Sequence, residues 1–177
     1  MRPIGFTLAL VVVFGTVKAA SAASIPDSIK TAEKTHVEIY KRFAPSVVGL
    51  SCNGVVRANN NIKGNFFGTG AVVSADGLIL TSTSVIPKDA TEIKVYFTDG
   101  HIRPGEVKQS DEASEGVLVK VDGEKLPFMR LAPSGEYHVG DPVYSWGNPY
   151  FTIQQDGVVS LSTGEISGLY DASSVDD

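Results

Sequence analysis

From Pro45 onward the chain is a succession of short runs rich in Val, Ile, Leu, Tyr and Phe, each soon stopped by Gly, Asp or Asn. Such runs fall near 46–51, 53–58, 66–75, 78–82, 92–97, 102–108, 115–121, 128–132, 142–146 and 157–163. Asp76-Gly77 and Asp99-Gly100 sit between runs and predict hairpins, since both central positions of the tightest turn favour positive φ. Asp122-Gly123 predicts a third turn, and the Asn-rich stretch from Ala58 to Asn65 predicts a surface loop. Many short strands punctuated this often make an all-β barrel or sandwich.

The chain before Pro45 is different. Ile29, Ala32, His36, Tyr40 and Phe43 recur at helical spacing and predict a helix over 29–43 with these residues on one face. Pro45 ends it, because the residue before a proline is pushed out of the helical region. His36 lies on the stripe and is read as a packing residue. Upstream, Arg2 precedes an apolar run of 14 residues from Ile4 to Val17, followed by Ala20-Ser21-Ala22. This is the pattern of a signal peptide over 1–22, with a mature start near Ala23 and export to a periplasmic or extracellular space. A retained anchor helix is the alternative, but spanning a bilayer takes roughly 20 apolar residues. No membrane span is expected after cleavage.

Composition narrows the function classes. With 177 residues and a net charge of -5, the chain suits one domain or slightly more, and without a basic cluster it does not suit a nucleic-acid partner. Cys52 is the single cysteine, so an internal disulfide is excluded. It follows the apolar run Val47 to Leu50 and is read as a buried, inert thiol. His101 and His138 stand beside turns and are read as surface residues. Neither has a metal-ligand spacing, and no metal or other cofactor is expected. Gly68-Thr69-Gly70 precedes a strand instead of a helix, so it is not a phosphate cradle. Asp171 to Asp177 is small and acidic and reads as a frayed or cut end.

Several strings fall in a telling order: Pro45-Ser46-Val47-Val48, Gly68-Thr69-Gly70-Ala71-Val72-Val73, Asp76-Gly77-Leu78-Ile79-Leu80-Thr81 and Ser84-Val85-Ile86. Phe97-Thr98-Asp99-Gly100, Val117 to Val121, Val139-Gly140-Asp141, Trp146-Gly147-Asn148-Pro149 and Gly157-Val158-Val159-Ser160 follow. In this order and spacing, over about residues 36 to 170, the chain resembles the trypsin-like protease domain of the HtrA/Deg family. The resemblance implies a double β-barrel with a cleft between the barrels. The first barrel would span 46–130, after an N-terminal helical segment over 23–45, and residues 131–177 would begin a second, incomplete barrel. Trp146 would pack in the second barrel's core. In the family the first barrel supplies the catalytic His and Asp, and the second supplies the Ser and the oxyanion hole.

The resemblance also puts those positions in doubt. The family's Thr-Asn-x-His-Val is here Thr81-Ser82-Thr83-Ser84-Val85, so Ser84 fills the His slot. Ser114-Glu115-Gly116-Val117 places Glu115 in the Asp slot. The family's Gly-Asn-Ser-Gly-Gly string should follow the Gly157–Gly168 region by some distance and is expected to be missing from this chain. Serine attack needs a base that takes the hydroxyl proton and returns it to the leaving amine; imidazole does this near neutral pH and a hydroxyl does not. Without an imidazolium to stabilise, Glu115 is expected to face solvent.

Three readings follow. The chain is a degenerate homologue of HtrA-like serine endopeptidases, the class of proteolysis and protein quality control, with a protein- or peptide-binding role on the protease fold. Alternatively it is a fragment of a longer serine endopeptidase of that family. Third, it is an active hydrolase with a relocated base. No oligomeric state is specified by the sequence.

Overall fold

The structure is a computed structural model that describes residues 26–56, 62–133 and 135–169. The leader read over 1–22, residues 58–61 of the Asn-rich stretch and the tail Asp171–Asp177 lie outside the described residues.

Helix α1 (Asp27–Phe43) begins after Pro26 and carries Asp27 in its first turn and Lys41 and Arg42 in its last. Both placements oppose the partial charges at the helix ends. A single 3-10 turn, Ala44–Ser46, then leads into the sheet. The predicted stripe docks only at its C-terminal end. Tyr40 donates its hydroxyl to the Val159 carbonyl at 2.9 Å, and its ring lies 6.0 Å from that of Trp146. Ile29 and Val37 stay exposed, and His36 is an exposed residue whose ring meets Tyr144 edge-on. A helical period shows which face can be buried; how far it is buried depends on what it lies against.

Seven strands form one antiparallel sheet: β1 (Val47–Val56), β2 (Ile62–Val72), β3 (Leu78–Ser82), β4 (Thr91–Tyr96), β5 (Ile102–Pro104), β6 (Glu106–Asp111) and β7 (Gly116–Lys120). Their order is β5-β4-β1-β2-β3-β7-β6. The two edge strands, β5 and β6, are consecutive in the chain and meet at Gly105. The predicted single strand 102–108 is therefore two, of which the first pairs with β4 and the second with β7. Gly105 donates its N–H to the Ile93 carbonyl at 2.9 Å. Its position brings the two ends of the sheet close together, β4 on one side and β7 on the other. A Cβ there would come within 2.8 Å of both Ile93 on β4 and Val119 on β7.

Inside this sheet Val48, Leu50, Cys52, Val72, Ile79, Ile86, Ile93, Val95, Phe97, Val117, Val119 and Val121 form one core. The alternation of β7, with Val117 and Val119 buried between half-exposed neighbours, is what period-two patterning requires. Runs 46–51 and 53–58 are one long strand, β1. Ile62 to Asn65, expected in the loop, extend β2 in register with β1. At the β2–β3 and β4–β5 turns only the glycines, Gly77 at φ 98° and Gly100 at φ 85°, are left-handed. The aspartates before them are not, so these are wider turns than the tightest hairpin type.

Helix α1 and the described residues from Met129 onward pack beside this sheet through a second core. No strand forms over 128–132; Met129 instead donates its N–H to the Val72 carbonyl at 2.8 Å. A two-stranded sheet pairs β8 (Pro142–Gly147) with β9 (Ser160–Glu165). The strand expected over 157–163 starts later because a short helix α2 (Thr152–Asp156) comes first and ends on Gly157, at φ 68°. Ala44, Val47, Ile153 and Val159 form a second, small core, against which Tyr40, Tyr96, Met129 and Trp146 pack. This core ties α1, β1, α2 and the two-stranded sheet together, and it is where Trp146 lies.

Candidate active site

Ser84 and Glu115 are 31 positions apart and lie at the same end of the β3–β7 ladder. Ser82, the last residue of β3, pairs with Gly116, the first of β7. One step further, Thr83 donates its N–H to the Glu115 carbonyl at 2.9 Å. Beyond it the chain turns tightly, with the amides of Val85 and Ile86 both directed at the Ser82 carbonyl. Ser84 is thereby held exposed at the apex, with its Oγ 2.6 Å from Ser82 Oγ.

Glu115 is exposed and left-handed, at φ 54°. Before it, Asp111 closes a turn by accepting the Ala113 N–H at 3.1 Å and the Ser114 hydroxyl at 2.7 Å. The Ser114 hydroxyl, then the Ala113 amide, hold the Asp111 carboxyl below the usual range. Among the described residues no hydrogen bond joins Ser84 to Glu115. The site pairs two serine hydroxyls beside a solvated carboxylate, and neither hydroxyl accepts a proton near neutral pH.

The histidines lie on other elements. His101 faces Asp99 at 3.1 Å in the β4–β5 turn, His138 faces Asp141 at 3.6 Å before β8, and His36 is on α1. Both turn histidines are exposed, as the sequence predicts. Cys52 is buried inside the first core, and its burial, with a smaller effect from Asp89, pushes the thiol's pKa up, away from a reactive thiolate.

A second wall stands beside this region, and the sequence did not reveal it. Gly68 on β2 packs so tightly on Val85 that a Cβ there would lie 2.4 Å from it. The next residue, Thr69, accepts the Asn148 N–H on its hydroxyl at 3.1 Å. Asn148 anchors the segment that follows: its Oδ1 accepts the Ile153 N–H at 2.8 Å, and its Nδ2 donates to Gln154 Oε1 at 2.7 Å. Gly49 leaves room for this pair, since a Cβ would fall 2.8 Å from Asn148 Nδ2. Tyr150 and Phe151 are both left-handed, at φ 55° and 63°, and Phe151 rests on Phe67 with ring centroids 4.5 Å apart. The available signal was Asn148-Pro149, which opens the 3-10 turn Pro149–Phe151 ahead of α2, and Gly157, which ends that five-residue helix.

A family model described as a trypsin-like peptidase domain matches residues 68–177. The chain is similar to the serine endoprotease DegS of Haemophilus influenzae, at 28% identity over 82% of this chain and 39% of that protein. It is similar to the serine protease HTRA1B of Danio rerio, at 30% identity over 80% of this chain and 29% of that protein. To a probable periplasmic serine endoprotease, DegP-like, of Ectopseudomonas mendocina the identity is 39%, over 47% of this chain and 17% of that protein. The chain thus spans well under half the length of these relatives. These matches show that the chain belongs to the trypsin-like serine protease family, on its HtrA/Deg branch, and its antiparallel, mostly β architecture agrees with it.

Proposed function

We propose that this chain is a non-catalytic HtrA/Deg homologue that keeps the peptidase fold and uses it to bind protein or peptide partners. The observation that carries this reading is Ser84: at the position where the family's histidine is expected stands a hydroxyl, hydrogen-bonded to a second hydroxyl. Acyl transfer from a serine needs an imidazole that both takes and returns a proton. Glu115 is exposed, and among the described residues no hydrogen bond joins it to Ser84, so nothing positions it to act in the imidazole's place. In this reading residues 46–130 are the first barrel and the second begins at 131. Export fits the leader-like N-terminus and the periplasmic designation of the DegP-like relatives.

The purified 177-residue chain is expected not to cleave unfolded casein and not to be labelled by a fluorophosphonate. Casein turnover that the fluorophosphonate abolishes would overturn the reading. The relatives' greater length favours a second one, in which these residues are part of a longer protein carrying its own Gly-x-Ser-Gly-Gly string. In such a protein Ser84→His would raise peptidase activity by orders of magnitude, because a triad lacking one member retains only a residual rate.

A further inference from the structure

We propose that the outer face of β1, β2 and β4 carries a site for a free α-amino acid with an aromatic side chain, distinct from the Ser84 region. The three strands set Phe67, Ser51 and Lys94 in one row, since Ser51 pairs with Phe67 on one side and with Lys94 on the other. These residues line a cavity of about 200 Å3 with Asn53, Glu92 and Tyr96. That is smaller than the roughly 300–1,000 Å3 of drug-sized clefts, so its occupant is a small molecule.

The polar groups here are arranged around a gap. Ser51 Oγ and Tyr96 Oη lie 3.3 Å apart, so one O–H is used between them and the other remains free to donate. Lys94 has no ion-pair partner among the described residues. Glu92 lies two residues away and accepts an N–H from Asn53 Nδ2 at 3.0 Å. Glu92 and Lys94, opposite charges two residues apart in the chain, line the same cavity, and no ion pair joins them. A zwitterion closes that gap, with its ammonium on Glu92 and its carboxylate on Lys94 and the free hydroxyl. Phe67, half-exposed and backed by Phe151, offers a ring surface to the ligand's side chain. A longer peptide fits poorly, because its two charged ends are far apart.

Glu92 supplies the independent observation. The ladder slips between Ser51 and Asn53, where β4 advances by three residues (Lys94 to Thr91) against two on β1. This is a β-bulge, a device that re-aims a side chain. Glu92 is left-handed at φ 53° within it, a conformation that glycine adopts without strain. Strain of this kind persists where the side chain it presents is needed.

The test titrates the full chain with L-phenylalanine and follows backbone amide shifts by NMR. Saturable shifts at Ser51, Phe67, Lys94 and Tyr96 are expected, with binding weakened at least about tenfold for phenethylamine or 3-phenylpropionate, which each lack one charge. Diphenylalanine is expected to bind more weakly than the free amino acid. Lys94→Gln and Glu92→Gln should each abolish the shifts, and Glu92→Gly should do so while leaving the thermal midpoint equal or higher. Overturning results are the absence of shifts into the tens of millimolar, equal binding of 3-phenylpropionate, or unchanged binding by the Lys94→Gln protein.

Discussion

Three aspartates at turns have carboxyls held below the usual range, each by groups that the local sequence brings to it. The Ser74 hydroxyl, then Lys120, does this for Asp76; the His101 amide for Asp99; and the Ser114 hydroxyl for Asp111. A carboxyl depressed in the folded state stabilises the fold fully above its unfolded pKa, about 3.9 for Asp, and that contribution is lost as pH falls through the lower folded value. The urea midpoint is therefore expected to hold steady near neutrality with respect to these groups and to fall below about pH 4. Asp111→Asn keeps an acceptor for the turn but removes the titration, so its acid-side fall should be shallower than the parent's. A parallel pair of curves would show that Asp111 contributes nothing to acid unfolding. The same local logic made His101 and His138 legible as surface residues, since an Asp two or three positions away is enough to hold each in its turn.

At the level of elements, the close approach of the two ends of the sheet depends on Gly105. Its virtual Cβ lies 2.8 Å from Ile93 and Val119 and 3.3 Å from Val95, side chains from the two strands that it brings together. Gly105→Ala therefore overpacks the seam, at an expected cost of about 1–3 kcal/mol, seen as a lower urea midpoint with an unchanged slope. A neutral result would mean that the seam has slack the geometry does not show. The sequence predicted strand and turn content here well: β3 is where its apolar run put it, and β7 alternates as expected. It did not show the break at Gly105, because the break exists only where two strands distant in sequence meet. Run 128–132 was apolar for a related reason. Met129 packs against the second core and the segment hydrogen-bonds to β2 without joining a ladder, and an apolar run alone does not distinguish the two. Ser84 and Glu115 were picked out from separate strings, and the β3–β7 pairing brings their backbones to the same end of one ladder. The Asn148–Phe151 wall was not legible, since nothing local marks its left-handed aromatics.

Over the whole molecule, the two sheets differ in how many ways each strand is held. Val72, Ile79 and Val95 are wholly buried on β2, β3 and β4, strands that are each paired on both sides. β8 and β9 pair only with each other among the described residues, and a two-stranded sheet is marginal by itself in water. Val139, Val143 and Val158 around it are exposed. The small core of Ala44, Val47, Ile153 and Val159 and the Asn148 N–H on the Thr69 hydroxyl hold it to the larger sheet, and the Tyr40 hydroxyl on the Val159 carbonyl ties it to α1. Local opening follows burial and the number of neighbours a segment would lose. Hydrogen exchange on the 177-residue chain is thus expected to be slowest at Val72, Ile79, Val95 and Leu118, and faster by orders of magnitude across β8 and β9. Tyr40→Phe should widen the difference, because it removes one tie worth about 0.5–1.5 kcal/mol from the small core and none from the large one. Equal protection of both sheets would mean that they open as one unit, and that the small core couples them more strongly than its four buried residues suggest.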